Sequence, residues 1–332
     1  MRFVFDCGFD GPNYAWGPRD CEAGLGGSEE CVIYLSEALV KRGHEVLVIN
    51  NIPADSIING VSYRKPPGEN GGIADVYISW RAWHRAAHPN IKAHKNWLWC
   101  HDIPVGGHFP HGDKRSQKEL FSVCDFVILL NQHHRAAYNE VPEEKAWVCP
   151  IGIVKEQFLI EEPIARIPGR VIYSSHPNRG LHDLRRMWPS IKNAVPFASL
   201  SAFWWEPAFH LEPDYKLDIL PMKSLGHAAL AKEMMQSEIL GYPSVFHAEI
   251  SPATCIKAQA AGSIPVVVLA GGMKDVCPFG IHTTHDGFVA DIVQVLLDRD
   301  KQEEIRHPMR KWALDNYSWD HVAFLWEEKA KA

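Results

Sequence analysis

Residues 242–268 read YPSVFHAEISPATCIKAQAAGSIPVVV: a loop, a glutamate-bearing turn, a helix, a glycine turn and a buried strand in succession. Ser251 before Pro252 predicts a helix start, with a capping hydroxyl and a proline at the first helical position. Cys255 to Ala261 is small and helix-tolerant, Gly262 suits the helix end, and Ile264 to Leu269 is a continuous apolar run. A helix that begins just after Glu249 presents free backbone N–H groups and the positive end of its dipole, which together attract anions. One interpretation is a phosphate over the Ser251–Thr254 amides with Glu249 beside it. The other is an ordinary capped helix in an α/β domain.

The chain has 332 residues, 46% apolar and 22% charged, enough for two α/β domains of ordinary globular composition. A formal charge of −6 supplies no basic field for stable nucleic-acid binding. The eight cysteines form no CxxC pair, and Cys31, Cys124 and Cys255 fall in apolar patterns, so buried thiols in a reducing compartment are expected. No apolar run is long enough to span a bilayer and no signal peptide precedes the first strand, so a cytoplasmic protein is expected.

Around the opening stretch, Met1–Cys7 reads as a strand and is followed by a Gly/Pro-rich loop. Ser28 is the expected N-cap of an amphipathic helix that Gly43 ends, and Glu45–Asn50 is the next strand. These pieces make a βαβ unit, and the Gly26–Gly27 pair lets backbone approach a ligand at the helix start. Ala74–Ser79, Asn96–Cys100 and Phe126–Asn131 read as further strands, with a helix expected over 114–124. His101-Asp102 sits just past a strand end. With His108, His111 and Asp113 nearby a metal site comes into question, but the spacings match no tetrahedral zinc pattern. Lys155–Gly169 has no period and reads as a linker. A second α/β pattern runs from Arg170, and SWDHVAFLWEEKAKA ends the chain as an amphipathic helix with Val322, Leu325 and Trp326 on one face. Trp97 and Trp99 share a strand face and read as core, whereas Trp80 and Trp83 are candidates for acceptor-side stacking. Lys92, Lys95, Lys114 and Arg115 form a basic strip that reads as charged surface.

Six segments in order resemble the large retaining glycosyltransferase family 4: GLGGSEECVIYLSEALVKRGHEVLVI, HDIP, IGIVKEQF, YSSHPNRGLHDL, the opening stretch, and YSWDHVAFLWEE. The resemblance covers nearly the whole chain, and the GGSEE form and short loops resemble bacteriophage-encoded members. It implies the GT-B architecture, two facing Rossmann-like domains with a cleft between them. An acceptor-side domain would span 1–155, a nucleotide-sugar donor domain 170–315, and a helix over 316–332 would pack back on the first domain. Location in the host cytoplasm would follow if the chain is phage-encoded.

The resemblance also assigns roles. Gly26 and Gly27 would offer amides to the donor diphosphate. Arg179 stands at the family's phosphate-binding lysine, a replacement that keeps the charge and adds bidentate geometry. Ser174 stands where an arginine is often found, so one positive charge is missing. Glu249 matches the first signature glutamate, beside the transferred sugar, and His101 the histidine that reaches the donor sugar. Ile250, Ser251, Pro252, Ala253 and Thr254 would contact sugar and diphosphate through backbone. Lys257 replaces the second signature glutamate, and an ammonium cannot accept the hydrogen bonds of ribose hydroxyls. It supplies the charge absent at Ser174, or is a solvated helix lysine, or marks a donor site that no longer catalyses.

The implied activity is glycosyl transfer from a nucleotide-diphosphate sugar, with retention and with no metal or resident cofactor. Arg179, the Gly26–Gly27 amides and the 251–254 helix start would stabilise the leaving diphosphate. Asp298-Arg299-Asp300 spells a DxD motif but reads as solvated charge closing a helix. The acceptor would be a glycan or a modified base in phage DNA. A nucleotide-sugar epimerase on the same fold and a non-catalytic nucleotide-sugar or glycan-binding protein are the alternatives.

Overall fold

A computed structural model describes residues 1–8, 15–66, 72–82, 85–86, 91–103, 121–161, 164–204, 212–246 and 249–332. The chain forms two compact units. The first comprises Met1–Arg19, Gly26–Gly152 and Trp319–Ala332; the second comprises Asp20–Leu25 and Ile153–Ser318.

The first unit starts with β1 (Arg2–Gly8), α1 (Gly27–Lys41) and β2 (Glu45–Asn50). Then come β3 (Ser56–Ile58), β4 (Val61–Arg64), β5 (Ile73–Trp80), β6 (Lys92–Trp99) and β7 (Phe126–Leu129). The short helix α2 (Gln132–Ala137) leads to β8 (Ala146–Val148). The strands lie in the order β3-β4-β2-β1-β5-β6-β7-β8. All neighbours are parallel except the β3–β4 pair. Central strands such as β1 are buried on both faces, which is why they read as unbroken apolar runs. The β3–β4 hairpin is an element that the sequence analysis does not predict. Asn59 (φ 51°) and Gly60 (φ 82°) both take the left-handed conformation of a type I′ turn.

In the second unit, β9 (Arg170–Ser174), α3 (Leu181–Ala194), β10 (Ser199–Phe203), β11 (Ile219–Met222) and α4 (His227–Gln236) lead to β12 (Ile239–Tyr242). The opening stretch supplies α5 (Ala253–Ala261) and β13 (Ile264–Val268). After α6 (Met273–Val276) and β14 (Ile281–Thr283) come α7 (Phe288–Leu297) and α8 (Arg299–Asn316). The parallel sheet runs β11-β10-β9-β12-β13-β14. Both units are therefore parallel-sheet α/β domains of the Rossmann kind.

The last helix, α9 (Trp319–Lys331), belongs to the first unit. Its Trp326 ring sits 5.0 Å from Trp99, 5.6 Å from Trp97, 5.7 Å from Trp147 and 5.8 Å from Phe5. Val322 and Trp326 are buried and Leu325 partly so. Trp97 and Trp99 are core, as expected. Lys95 donates to the carbonyl of Ala330 at 2.8 Å, satisfying the end of α9.

Several expectations need correction. The 155–169 stretch is packed into the second unit: Phe158 is buried, and Arg166 donates to the carbonyls of Ser237 (2.5 Å) and Ala261 (2.8 Å). Asp298-Arg299-Asp300 is not merely solvated. Asp298 caps α8 by accepting from the Lys301 amide at 3.0 Å, and Arg299 pairs with the buried Glu238. The expected 114–124 helix, together with Lys114 and Arg115, lies almost entirely outside the described residues. All eight cysteines are free and buried. Among the described residues no helix is long and apolar enough to cross a membrane.

Candidate functional site

Strand order in the second sheet reverses at β9, with β10 and β11 on one side and β12, β13 and β14 on the other. Open α/β sheets bind ligands beyond the carboxyl ends of the strands at such a switch point. Ser174 closes β9 and Tyr242 closes β12, and the turns that follow carry Arg179 and Glu249. Arg179 and Glu249, 70 positions and several elements apart, thus meet because two parallel strands are neighbours.

Arg179 Nε lies 3.3 Å from Glu249 Oε2. The Tyr242 hydroxyl donates to the same oxygen at 3.0 Å. The guanidinium also lies over the Phe246 ring, 3.9 Å from its centroid. Tyr173 stacks on Tyr242 at 6.1 Å and donates to the His176 carbonyl at 2.7 Å, bracing the turn that presents Arg179. Gly180 closes that turn at φ 98° against the Pro243 backbone, where no Cβ fits. Glu249 is fixed through its main chain as well: its amide donates to Phe246 O at 3.0 Å and its carbonyl accepts from Gly272 N at 2.8 Å. Burial raises the Glu249 carboxyl above its usual range, and Arg179 and Tyr242 pull it back.

The helix start differs from expectation by one residue. Pro252 is the N-cap of α5, with no side-chain cap, because the helix begins at Ala253 rather than at Pro252. Ser251 Oγ, expected to cap, is instead buried without a hydrogen-bond partner among the described residues. Ile250 and Pro252 are buried, while Ala253, Thr254 and Lys257 are half-buried. The first intrahelical bonds run from the amides of Cys255 and Ile256 to Pro252 O at 2.9 and 3.4 Å, so the Ala253 and Thr254 amides precede them. Ser174 has its hydroxyl 2.5 Å from that of Thr254. It joins the end of β9 to the first turn of α5.

In the first unit, Gly26 is the N-cap of α1 and Gly27 its first residue, so Ser28 lies inside the first turn rather than at the cap. The Glu29 carboxylate folds back over Gly26, where any larger residue would meet it. His101 follows β6 with its ring 4.6 Å from Trp99 and 5.9 Å from Trp80. Among the described residues its Nε2 is enclosed without a hydrogen-bond partner. Burial, with Arg81 and His134 adding to it, pushes the imidazole well below its usual range and keeps it neutral near pH 7. The neighbouring Asp102 is clamped by Arg81 at 2.6 and 2.9 Å. Its carbonyl accepts from Tyr138 at 2.8 Å and bonds His134 Nε2 at 3.1 Å. Arg81 reaches this position in the left-handed region at φ 62°, a conformation that costs a non-glycine residue energy. Trp80 is 6% exposed, with its ring against Trp16 (5.9 Å) and under the Arg81 guanidinium (5.2 Å), so it offers no open stacking face. Trp83, His108, His111 and Asp113 lie outside the described residues. Among the described residues no three His, Cys, Asp or Glu side chains gather as metal ligands.

Sequence reasoning missed Tyr242, Phe246, Arg81 and Tyr138. The one available signal was a tyrosine ending an otherwise aliphatic strand, where a hydroxyl calls for a partner.

No protein-family model matches the sequence, and no curated protein matches it by sequence. Solved structures do match its fold. HepE of Anabaena, solved with UDP and glucose, aligns over 100% of this chain and 99% of its own at 12% identity and TM-score 0.65. AviGT4, a glycosyltransferase involved in avilamycin A biosynthesis, aligns over 100% and 97% at 15% identity and TM-score 0.68. WaaG, a glycosyltransferase involved in lipopolysaccharide biosynthesis, aligns over 99% and 98% at 11% identity and TM-score 0.68. The fold of this chain is that of GT-B glycosyltransferases.

Proposed function

We propose that this chain is a glycosyltransferase of the family 4 kind that transfers a sugar from a nucleotide-diphosphate sugar. The observation that carries the reading is the convergence of Arg179 and Glu249 at the switch point of the second sheet, 3.3 Å apart, beside the start of α5. A guanidinium and unpaired helix-start amides suit a diphosphate; a carboxylate held next to them suits the hydroxyls of the attached sugar. The enclosed Ser251 Oγ, without a partner among the described residues, adds a polar group at the same helix start. HepE, of the same fold, was solved with UDP and glucose.

In this proposal the anomeric C–O bond breaks through an oxocarbenium-like state, with retention and without a metal. Charge growing on the leaving diphosphate is met by Arg179 and by the Ala253 and Thr254 amides, fixed before the reaction. In the first unit, the Gly26 and Gly27 amides take phosphate and the neutral His101 takes a sugar hydroxyl. Ile250 and Pro252 shape the backbone that contacts the donor. The acceptor is a glycan or, in a phage-encoded protein, a hydroxylated DNA base. Lys257 favours a second reading, a protein that binds the nucleotide sugar without transferring it.

A thermal-shift panel of nucleoside diphosphates and their sugars tests the proposal, because a ligand of the folded form raises the melting temperature by mass action. One sugar nucleotide should stabilise the wild type and be consumed slowly by hydrolysis. Stabilisation without turnover supports the binding-protein reading, and no stabilisation by any member overturns both.

A further inference from the structure

Tyr242 is fully buried, yet its hydroxyl belongs to none of the sheet's backbone bonding. It donates to Glu249 Oε2 at 3.0 Å, with the Ser175 hydroxyl 3.4 Å away on its other side. Arg179 approaches the same carboxylate oxygen. The Tyr242 hydrogen bond and the Arg179 ion pair therefore both fall on Oε2, and among the described residues no hydrogen bond is made to Oε1. The phenol cannot swing away, because its ring is stacked on Tyr173 at an interplanar angle of 17° and the strand that bears it is buried throughout.

We propose that Tyr242 is a positioning residue for Glu249: its hydroxyl keeps the carboxylate oriented when Arg179 is drawn onto a ligand phosphate. This rests on the glycosyl-transfer reading for the identity of the ligand, but the contact itself does not. Arg179 is required by two anions, Glu249 and the incoming diphosphate, and one guanidinium serves both only by sharing its donors. A neutral phenol faces no such competition. It bonds a carboxylate without attracting phosphate, and a buried carboxylate stripped of every donor would be strongly driven to take up a proton. Among the described residues, the titratable groups that face Glu249 are Arg179 from the turn after β9, Tyr173 from β9, Tyr242 from β12 and Cys255 from α5. Of these, Arg179 and Tyr242 draw its protonation downward.

The test uses the full-length protein labelled with ¹³C at the glutamate carboxyl, with Glu249→Gln identifying the Glu249 resonance. In Tyr242→Phe that resonance should titrate at higher pH than in wild type. Replacing Tyr242 with 3-fluorotyrosine, a more acidic donor of nearly the same size, should shift it to lower pH. The fluorinated protein keeps the test decisive should Tyr242→Phe fail to fold. Affinity for the nucleotide sugar found in the thermal-shift panel should fall about 10-fold in Tyr242→Phe, while affinity for the bare nucleoside diphosphate changes less than about 2-fold. A purely structural role would lower both affinities alike. A Glu249 titration that is the same in wild type, Tyr242→Phe and the fluorinated protein overturns the proposal. The titration shift between the Tyr242 variants and wild type, found together with no nucleotide-sugar binding by wild type, would uphold the role of Tyr242 and overturn glycosyl transfer.

Discussion

Arg179 and Glu249 form an ion pair at 3.3 Å whose members leave adjacent parallel strands on separate turns. The pair is mostly enclosed, with side-chain exposures of 27% and 13%. The Phe246 ring lies against the same guanidinium, 3.9 Å from it, a contact that favours the cation where it stands.

Arg179→Ala should weaken nucleoside diphosphate binding roughly 10- to 100-fold, the range expected for a lost charge-assisted hydrogen bond. Arg179→Lys keeps the charge but loses the planar fork, so its affinity should lie between the two. Titration calorimetry checks both, and wild-type affinity in the alanine variant would refute the assignment.

Lys257→Glu distinguishes the roles proposed for Lys257. If Lys257 supplies the charge missing at Ser174, reversing its sign should weaken diphosphate binding at least as much as a lost ion pair, roughly 10-fold. Equal or tighter binding would rule out charge replacement and favour a carboxylate on the ribose.

His134 makes stability depend on pH. Its Nδ1 accepts from the Leu130 amide at 3.1 Å, so a proton cannot be added there without breaking that bond. Burial pushes its pKa down from 6.5 to about 4. The unfolded chain therefore binds the extra proton first, and stability is lost as pH falls from 6.5 towards 4, by up to roughly 3 kcal/mol. His134→Gln should be less stable than wild type at pH 7.5 yet lose less stability on acidification. Parallel pH slopes in urea unfolding would contradict this.

Gly152→Ala should destabilise by about 1–3 kcal/mol, because the added methyl enters the face of the Trp319 ring at the start of α9. Trp326→Ala removes the ring at the centre of the tryptophan cluster and should cost about 3–5 kcal/mol. Denaturant unfolding followed by circular dichroism measures both, and near-wild-type midpoints would show that α9 is not anchored through these contacts.

Much of the framework was legible because it is written locally. Glu45–Asn50 and Ile281–Thr283 begin and end where apolar periodicity places them. Gly262 takes the left-handed conformation (φ 73°) expected at the end of α5. Asn59-Gly60 carries a hairpin signal, but the flanking strands are too short to show the alternation that would identify them. Both helix caps lie one or two residues from the serines that suit them, Ser28 and Ser251. Serine suits a cap, but the chain enters α1 and α5 through Gly26 and Pro252.

From its own order of residues, the chain determines where strands and helices run, which glycines turn, and which charged residues lie near helix starts, since each follows from the spacing of neighbours along one element. Tertiary structure decided the pairings: Tyr242 and Arg179 on one oxygen of Glu249, Ser174 on Thr254, Arg299 on Glu238 and Trp326 among the ring system of β1, β6 and β8. Those contacts depend on which parallel strands become neighbours after each crossover. Periodicity along the chain reports which side of an element is buried, but not which residue it is buried against.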